Sequence, residues 1–79
     1  MDISPTERVA ENVRAAAARR RASQTDLGSV LGISQAAVSQ RLCGRVDFKY
    51  GELYKLADYL GTTVEQLVAT DDDTEKASA

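Results

Sequence analysis

The 79-residue chain has no histidine and no tryptophan, one cysteine, one proline and one methionine, and aromatic residues make up only 5% of it. Without histidine, and with Cys43 as the lone thiol, no spacing of ligands suits a structural zinc, so no metal site is expected. A single cysteine also excludes an internal disulfide, and it fits a reducing, cytoplasmic setting. Catalysis lacks its usual parts. There is no imidazole base, no glycine-rich phosphate loop and no pair of carboxylates in apolar surroundings, so the chain is not expected to be an enzyme and no cofactor is implied. No apolar run reaches the roughly 18 residues that span a bilayer. Residues 1–21 alternate charge with alanine where a signal peptide would be apolar.

The excess of basic charge usual in nucleic-acid binders is missing too, since the formal net charge is −2. Its distribution matters more than its sum. Residues 1–47 hold seven Arg/Lys against five Asp/Glu, whereas residues 48–79 hold three against seven. Residues 71–79 (DDDTEKASA) contribute −3 by themselves, leaving the first seventy residues at +1. That segment is polar and without periodicity, so a disordered acidic tail is expected behind one domain over residues 1–70. Hydrophobic residues form 43% of the chain, enough for a single small core.

Helix signals fill that domain. Ser4-Pro5-Thr6-Glu7 combines a capping serine, a proline at the first helical position and a glutamate three residues after the serine. The helix it opens is expected to run to about Arg20, with Val9, Val13, Ala16 and Ala17 on its apolar face and Arg19, Arg20 and Arg21 complementing its C-terminal dipole. Ser23 and Asp26 open a second helix with Leu27, Val30 and Leu31 inward, and Gly32 ends it. Ser34 caps a third helix to about Leu42, whose inward residues are Ala37, Val38 and Leu42. Residues 49–60 give a fourth, with Leu53, Leu56, Ala57 and Leu60 buried and Tyr50, Tyr54 and Tyr59 at the edge of the core. Thr63 and Gln66 read as another capping box, opening a short last helix with Val64, Leu67 and Val68. No strand signal appears, so the fold class is all-α, a compact bundle of about five short helices.

The informative stretch is residues 23–45, SQTDLGSVLGISQAAVSQRLCGR. Two helices of about eight residues meet at a tight glycine turn, which is the pattern of a helix-turn-helix. Gly28, one turn into the first of them, lets the second approach closely. Ile33 plugs the corner and Val38 anchors the second helix. The opposite face of that second helix then displays Ser34, Gln35, Ala36, Ser39, Gln40 and Arg41.

With these residues in place, the sequence resembles the lambda-repressor-like helix-turn-helix proteins of the Cro/repressor (XRE) type, over roughly Val9 to Leu67. The resemblance rests on Gln24, Leu27, the small Gly28, Leu31-Gly32-Ile33-Ser34, Val38, Gly44-Arg45 and LYKLADYLGTTVEQL at 53–67. Two positions depart from that family. Arg41 stands where an aliphatic residue is usual, with Leu42 taking over the core contact, and Gly28 stands where alanine is commoner.

The resemblance implies a sequence-specific, double-stranded-DNA-binding transcriptional regulator, a repressor of phage type or a small bacterial regulator, with the helix over 34–42 in the major groove. Glutamine can bond adenine N6 and N7 together, and an alanine methyl can touch a thymine methyl, so Gln35, Ala36, Ser39 and Gln40 are the candidate base readers. Gln24, Ser34, Arg41, Arg45 and Lys49 are the candidate phosphate partners. A single unit with so few cations should bind weakly, so a homodimer on a pseudo-palindromic operator is expected; no small-molecule ligand is evident. Blander readings stand beside these. Gln35 and Gln40 taken alone are ordinary surface residues, Arg41 could lay its stem over the core, and Cys43 is a small residue near a turn before it is a redox switch. The alternative function is a protein-interaction module of the same fold that does not read DNA.

Overall fold

The computed structural model describes residues 4–69. Its elements are α1 (Pro5–Arg20), α2 (Gln24–Leu31), α3 (Gln35–Leu42), α4 (Tyr50–Leu60) and α5 (Val64–Val68). The architecture is all-α, as the periodicity predicts, and no strand occurs among the described residues. The acidic tail expected over residues 71–79 lies outside the described residues.

Helix starts follow local hydrogen-bond chemistry. The hydroxyl of Ser4 accepts the Glu7 N–H at 3.2 Å and the Glu7 carboxylate accepts the Ser4 N–H at 3.4 Å, a complete capping box. Ser23 and Asp26 repeat it at 3.0 and 2.9 Å. Ser34 has only its own half, accepting the Ala37 N–H at 3.1 Å, because alanine offers nothing in return. Thr63 likewise caps Gln66 N–H at 3.1 Å, but the expected reciprocal bond is absent: the Gln66 side chain accepts from the Thr62 hydroxyl instead. At α4 the helix begins at Tyr50, with Lys49 as its cap rather than its first residue. Lysine has no acceptor, so the Glu52 carboxylate supplies the bond, taking the Lys49 N–H at 2.9 Å.

Among the described residues thirteen apolar ones are buried, and Val13, Leu27, Val38, Leu56 and Leu67 are the largest fully enclosed side chains. Each such leucine contributes roughly 1.5–3 kcal/mol by leaving water. Most inward positions expected from spacing are buried, with Ala10 on α1 added, while Val9, Val30, Ala37 and Val64 are only half-buried. No charged or polar residue is buried among those described. The expectation fails at the tyrosines: Tyr50 and Tyr54 are 67% and 56% exposed, so they are surface residues and not core edge, and Tyr59 is exposed as well. Leu53, Leu56, Ala57 and Leu60 already fill the inward stripe of α4, and the tyrosines flank it on the water side. Val68 is also on the surface. No helix among the described residues is long and apolar enough to cross a membrane.

Candidate nucleic-acid interface

The position of α3 is set by its junction with α2. Gly32, in the left-handed region at φ 70°, ends α2, and the Gly28 carbonyl accepts both the Gly32 and the Ile33 N–H, the latter at 3.0 Å. Val38, fully buried, packs onto α2 beside Gly28, whose missing side chain leaves room for the Ile33 carbonyl. Leu42 is buried one turn further on and takes the core contact that Arg41 does not make. At the far end of α3 the Arg14 guanidinium of α1 donates to the Leu42 carbonyl, satisfying a terminal acceptor and placing positive charge at a helix C-terminus.

With Val38 and Leu42 facing inward, Ala36 and Gln40, four residues apart on the other side, are exposed. Gln35 is exposed at the first position of the helix, next to the capping Ser34, while Ser39 is half-buried. The side chains of Gln24, Gln35 and Gln40 make no hydrogen bond among the described residues, so their amides point their full donor and acceptor capacity at solvent. The Ser34 hydroxyl accepts in its cap and keeps its own proton to donate. Gln24 opens α2, and Arg45 and Lys49 lie exposed in the segment between α3 and α4. That segment is fastened at two points. The Arg45 N–H donates to the Gln40 carbonyl at 3.0 Å, and the Thr6 hydroxyl of α1 donates to the Asp47 carboxylate.

Arg41 stands apart from this exposed set. Its Nε and Nη2 donate to the two carboxylate oxygens of Glu52 at 3.0 and 3.3 Å, and its Nη1 donates to the Ala37 carbonyl at 3.2 Å. Both side chains are only 12% exposed. Burial alone would raise the Glu52 carboxyl, but the Lys49 N–H and the Arg41 guanidinium outweigh it and hold the group below its ordinary value. The guanidinium expected to meet a phosphate thus engages three of its five N–H groups inside the fold, where a carboxylate eleven residues later answers its charge. Neither Glu52 nor Arg14 is singled out by sequence reasoning. Each meets its partner only once the helices are packed, and no local spacing announces it.

A second surface feature lies between α4 and α5. Tyr50, Tyr54, Asp58, Thr62, Val64 and Glu65 border an open groove of about 490 Å³. Tyr50 and Tyr54 meet edge to face, 4.9 Å between ring centres, with their hydroxyls 3.2 Å apart. That hydrogen bond leads the causes that raise the Tyr50 phenol above its ordinary value, and electrostatic coupling to the Tyr54 phenol, partial desolvation and the Glu65 carboxylate add to it. Cys43 is exposed, and no cluster of acidic or cysteine side chains that would suit a metal occurs among the described residues.

Comparison with known proteins gives a family and a fold. Residues 2–78 match the family described as the BetR domain. The chain also superposes on the crystal structure of a hypothetical transcription factor, NHTF, from Neisseria, with a TM-score of 0.80. That likeness covers 94% of this chain and 85% of that one at 23% sequence identity, so it shows a shared fold. No curated protein matches the chain.

Proposed function

The chain belongs to the BetR domain family, and from that premise we propose that it is a sequence-specific double-stranded-DNA-binding transcriptional regulator, acting as a repressor of the lambda-repressor-like kind. The observation that carries this reading is the outward side of α3. Gln35, Ala36 and Gln40 are exposed, the two amides have no hydrogen-bond partner among the described residues, and the opposite side of the helix is anchored in the core. A rigid helix presenting free amides and a methyl suits the edges of base pairs, and each bidentate amide contact contributes roughly 1–3 kcal/mol of discrimination. The fold shared with the Neisseria protein, itself described as a hypothetical transcription factor, agrees with it.

In this reading Gln35, Ala36, Gln40 and the less exposed Ser39 meet base edges, while Gln24, Ser34, Arg45 and Lys49 hold phosphates. Two basic side chains give one copy little phosphate neutralisation, so two copies occupy half-sites about one helical turn, ~34 Å, apart. The action is cytoplasmic, on the chromosome or an incoming genome. The test is selection from a randomised duplex pool, with the bound fraction measured at two salt concentrations. Enrichment of a two-half-site motif, bound more weakly as salt rises, is expected. No enrichment and no salt-dependent binding would overturn the reading.

A protein-interaction module of the same fold is the second reading, and the exposed tyrosines beside the α4–α5 groove favour it. Binding by a protein partner that survives Gln35→Ala and is abolished by Tyr54→Ala, with no duplex enriched, would establish it.

A further inference from the structure

The backbones of α3 and α4 do not approach each other closely. Among the described residues the hydrogen-bonded side-chain link between them is the Arg41–Glu52 pair, which joins them with two parallel bonds from one guanidinium to one carboxylate. Both ends are fixed to backbone. Arg41 Nη1 is tied to the Ala37 carbonyl one turn back on α3, and Glu52 is tied to the Lys49 N–H at the start of α4. Each guanidinium nitrogen thus makes one bond within the fold. A fork-to-fork pair is directional in a way that an apolar contact is not: it fixes distance, plane and rotation together.

We propose that Arg41 and Glu52 form a brace that sets the roll of α3 about its axis, and so determine which base edges Gln35 and Gln40 can reach. Arg41 follows Gln40 directly, so any rotation that lengthens the brace carries the amide of Gln40 with it. Hydrogen bonds weaken steeply with misalignment, so a small roll costs base discrimination long before it costs the fold. Retaining a part-buried ion pair for geometry rather than for stability agrees with the energetics of such pairs. Apolar replacements of similar size are often as stable or more so, whereas removing one partner strands the other charge.

This inference rests on the DNA-reading proposal, and the test separates the two. Wild type, Glu52→Gln and the double variant Arg41→Met/Glu52→Met are each taken through duplex selection and salt titration, at a temperature where circular dichroism shows every variant folded. The double variant carries the test if Glu52→Gln does not fold, because it leaves no stranded charge. Wild type is expected to enrich a motif. The double variant is expected to bind that motif about tenfold more weakly, with a broadened base preference, while its affinity for random duplex and its salt slope stay at the wild-type value. An unchanged motif and affinity in the double variant would overturn the brace and leave the DNA reading standing. A salt slope reduced by about one would overturn it differently, by making Arg41 a phosphate contact. Wild type with no motif would overturn both.

Discussion

Gly28 and Ile33 lie so close that a Cβ on the glycine would stand 2.8 Å from the isoleucine's carbonyl oxygen. The obstacle is backbone, held in place by the Ile33 N–H bond back to Gly28, so it cannot swing aside as a flexible side chain would. Helix propensity alone favours alanine at this position by about 0.8–1 kcal/mol, and overpacking opposes it by roughly 1–3 kcal/mol. The clash wins. Gly28→Ala is expected to lower stability by about 1 kcal/mol net, which moves the thermal midpoint of a domain this size down by roughly 4–8 °C. A melt followed by circular dichroism checks it, and an equal or higher midpoint would show that the turn opens readily. Gly32 differs, because a Cβ there meets no atom within 4 Å and the cost of replacing it comes from its φ of 70° alone.

Acid should loosen the start of α2. Asp26 is fully exposed, and its carboxyl is held below the ordinary 3.8 first by the Ser23 N–H and then by the Ser23 hydroxyl. A carboxyl depressed by folding contributes its stability above the unfolded value, and the contribution disappears as pH falls through the folded one. Asp26→Asn is therefore expected to melt below wild type near neutral pH, with the difference shrinking as pH drops under about 4. Glu52 follows the same sign, since its folded value also lies below the ordinary 4.5. Urea titrations across that range read both effects, and a wild-type to Asp26→Asn gap that is constant with pH would contradict the capping account.

The elements easiest to read from sequence are those whose causes are local. Ser4, Ser23, Ser34 and Thr63 announce helix starts because each hydroxyl serves an N–H three residues away. Leu53, Leu56, Ala57 and Leu60 announce a buried stripe because one helix turn separates them. The exposure of Gln35, Ala36 and Gln40 follows from the same periodicity. What spacing could not supply is anything that depends on two helices meeting. The Arg41–Glu52 pair, the Arg14 bond to the Leu42 carbonyl and the Thr6–Asp47 bond all join separate segments of the chain. The tyrosines of α4 mislead for a related reason. An aromatic beside a leucine stripe counts as core until the neighbouring helices are seen to leave it uncovered.

Substitutions should divide the candidate interface into readers and anchors. Gln35 is uncharged and exposed on the first turn of α3, so Gln35→Ala is expected to relax base preference at one position, at a cost of roughly 1–3 kcal/mol on the preferred duplex, with the salt slope unchanged. Arg45 is a cation in the segment after α3. Arg45→Ala is expected to weaken binding to preferred and random duplexes alike and to lower the salt slope by about one. Anisotropy titrations on both duplexes at several salt concentrations separate the two behaviours. Equal losses on both duplexes from both substitutions would show that the division is mistaken.

Charge outside the described residues should act on the same interface at a distance. Residues 71–79 carry four acids and one lysine, so a chain ending at Thr70 has a formal charge of +1 in place of −2. In net charge a duplex attracts the first weakly and repels the second, and that difference needs no contact between the acidic segment and the interface. Removing the segment is therefore expected to speed association with any duplex at low ionic strength and to leave the selected motif unchanged. The gain should fade as salt rises, because the screening length contracts from about 30 Å at 0.01 M to about 8 Å at 0.15 M. Stopped-flow association rates for both chains across that range measure it. A gain that persists at high salt would point to direct contact between the acidic residues and the candidate interface, and a change of motif would mean that the segment takes part in base selection.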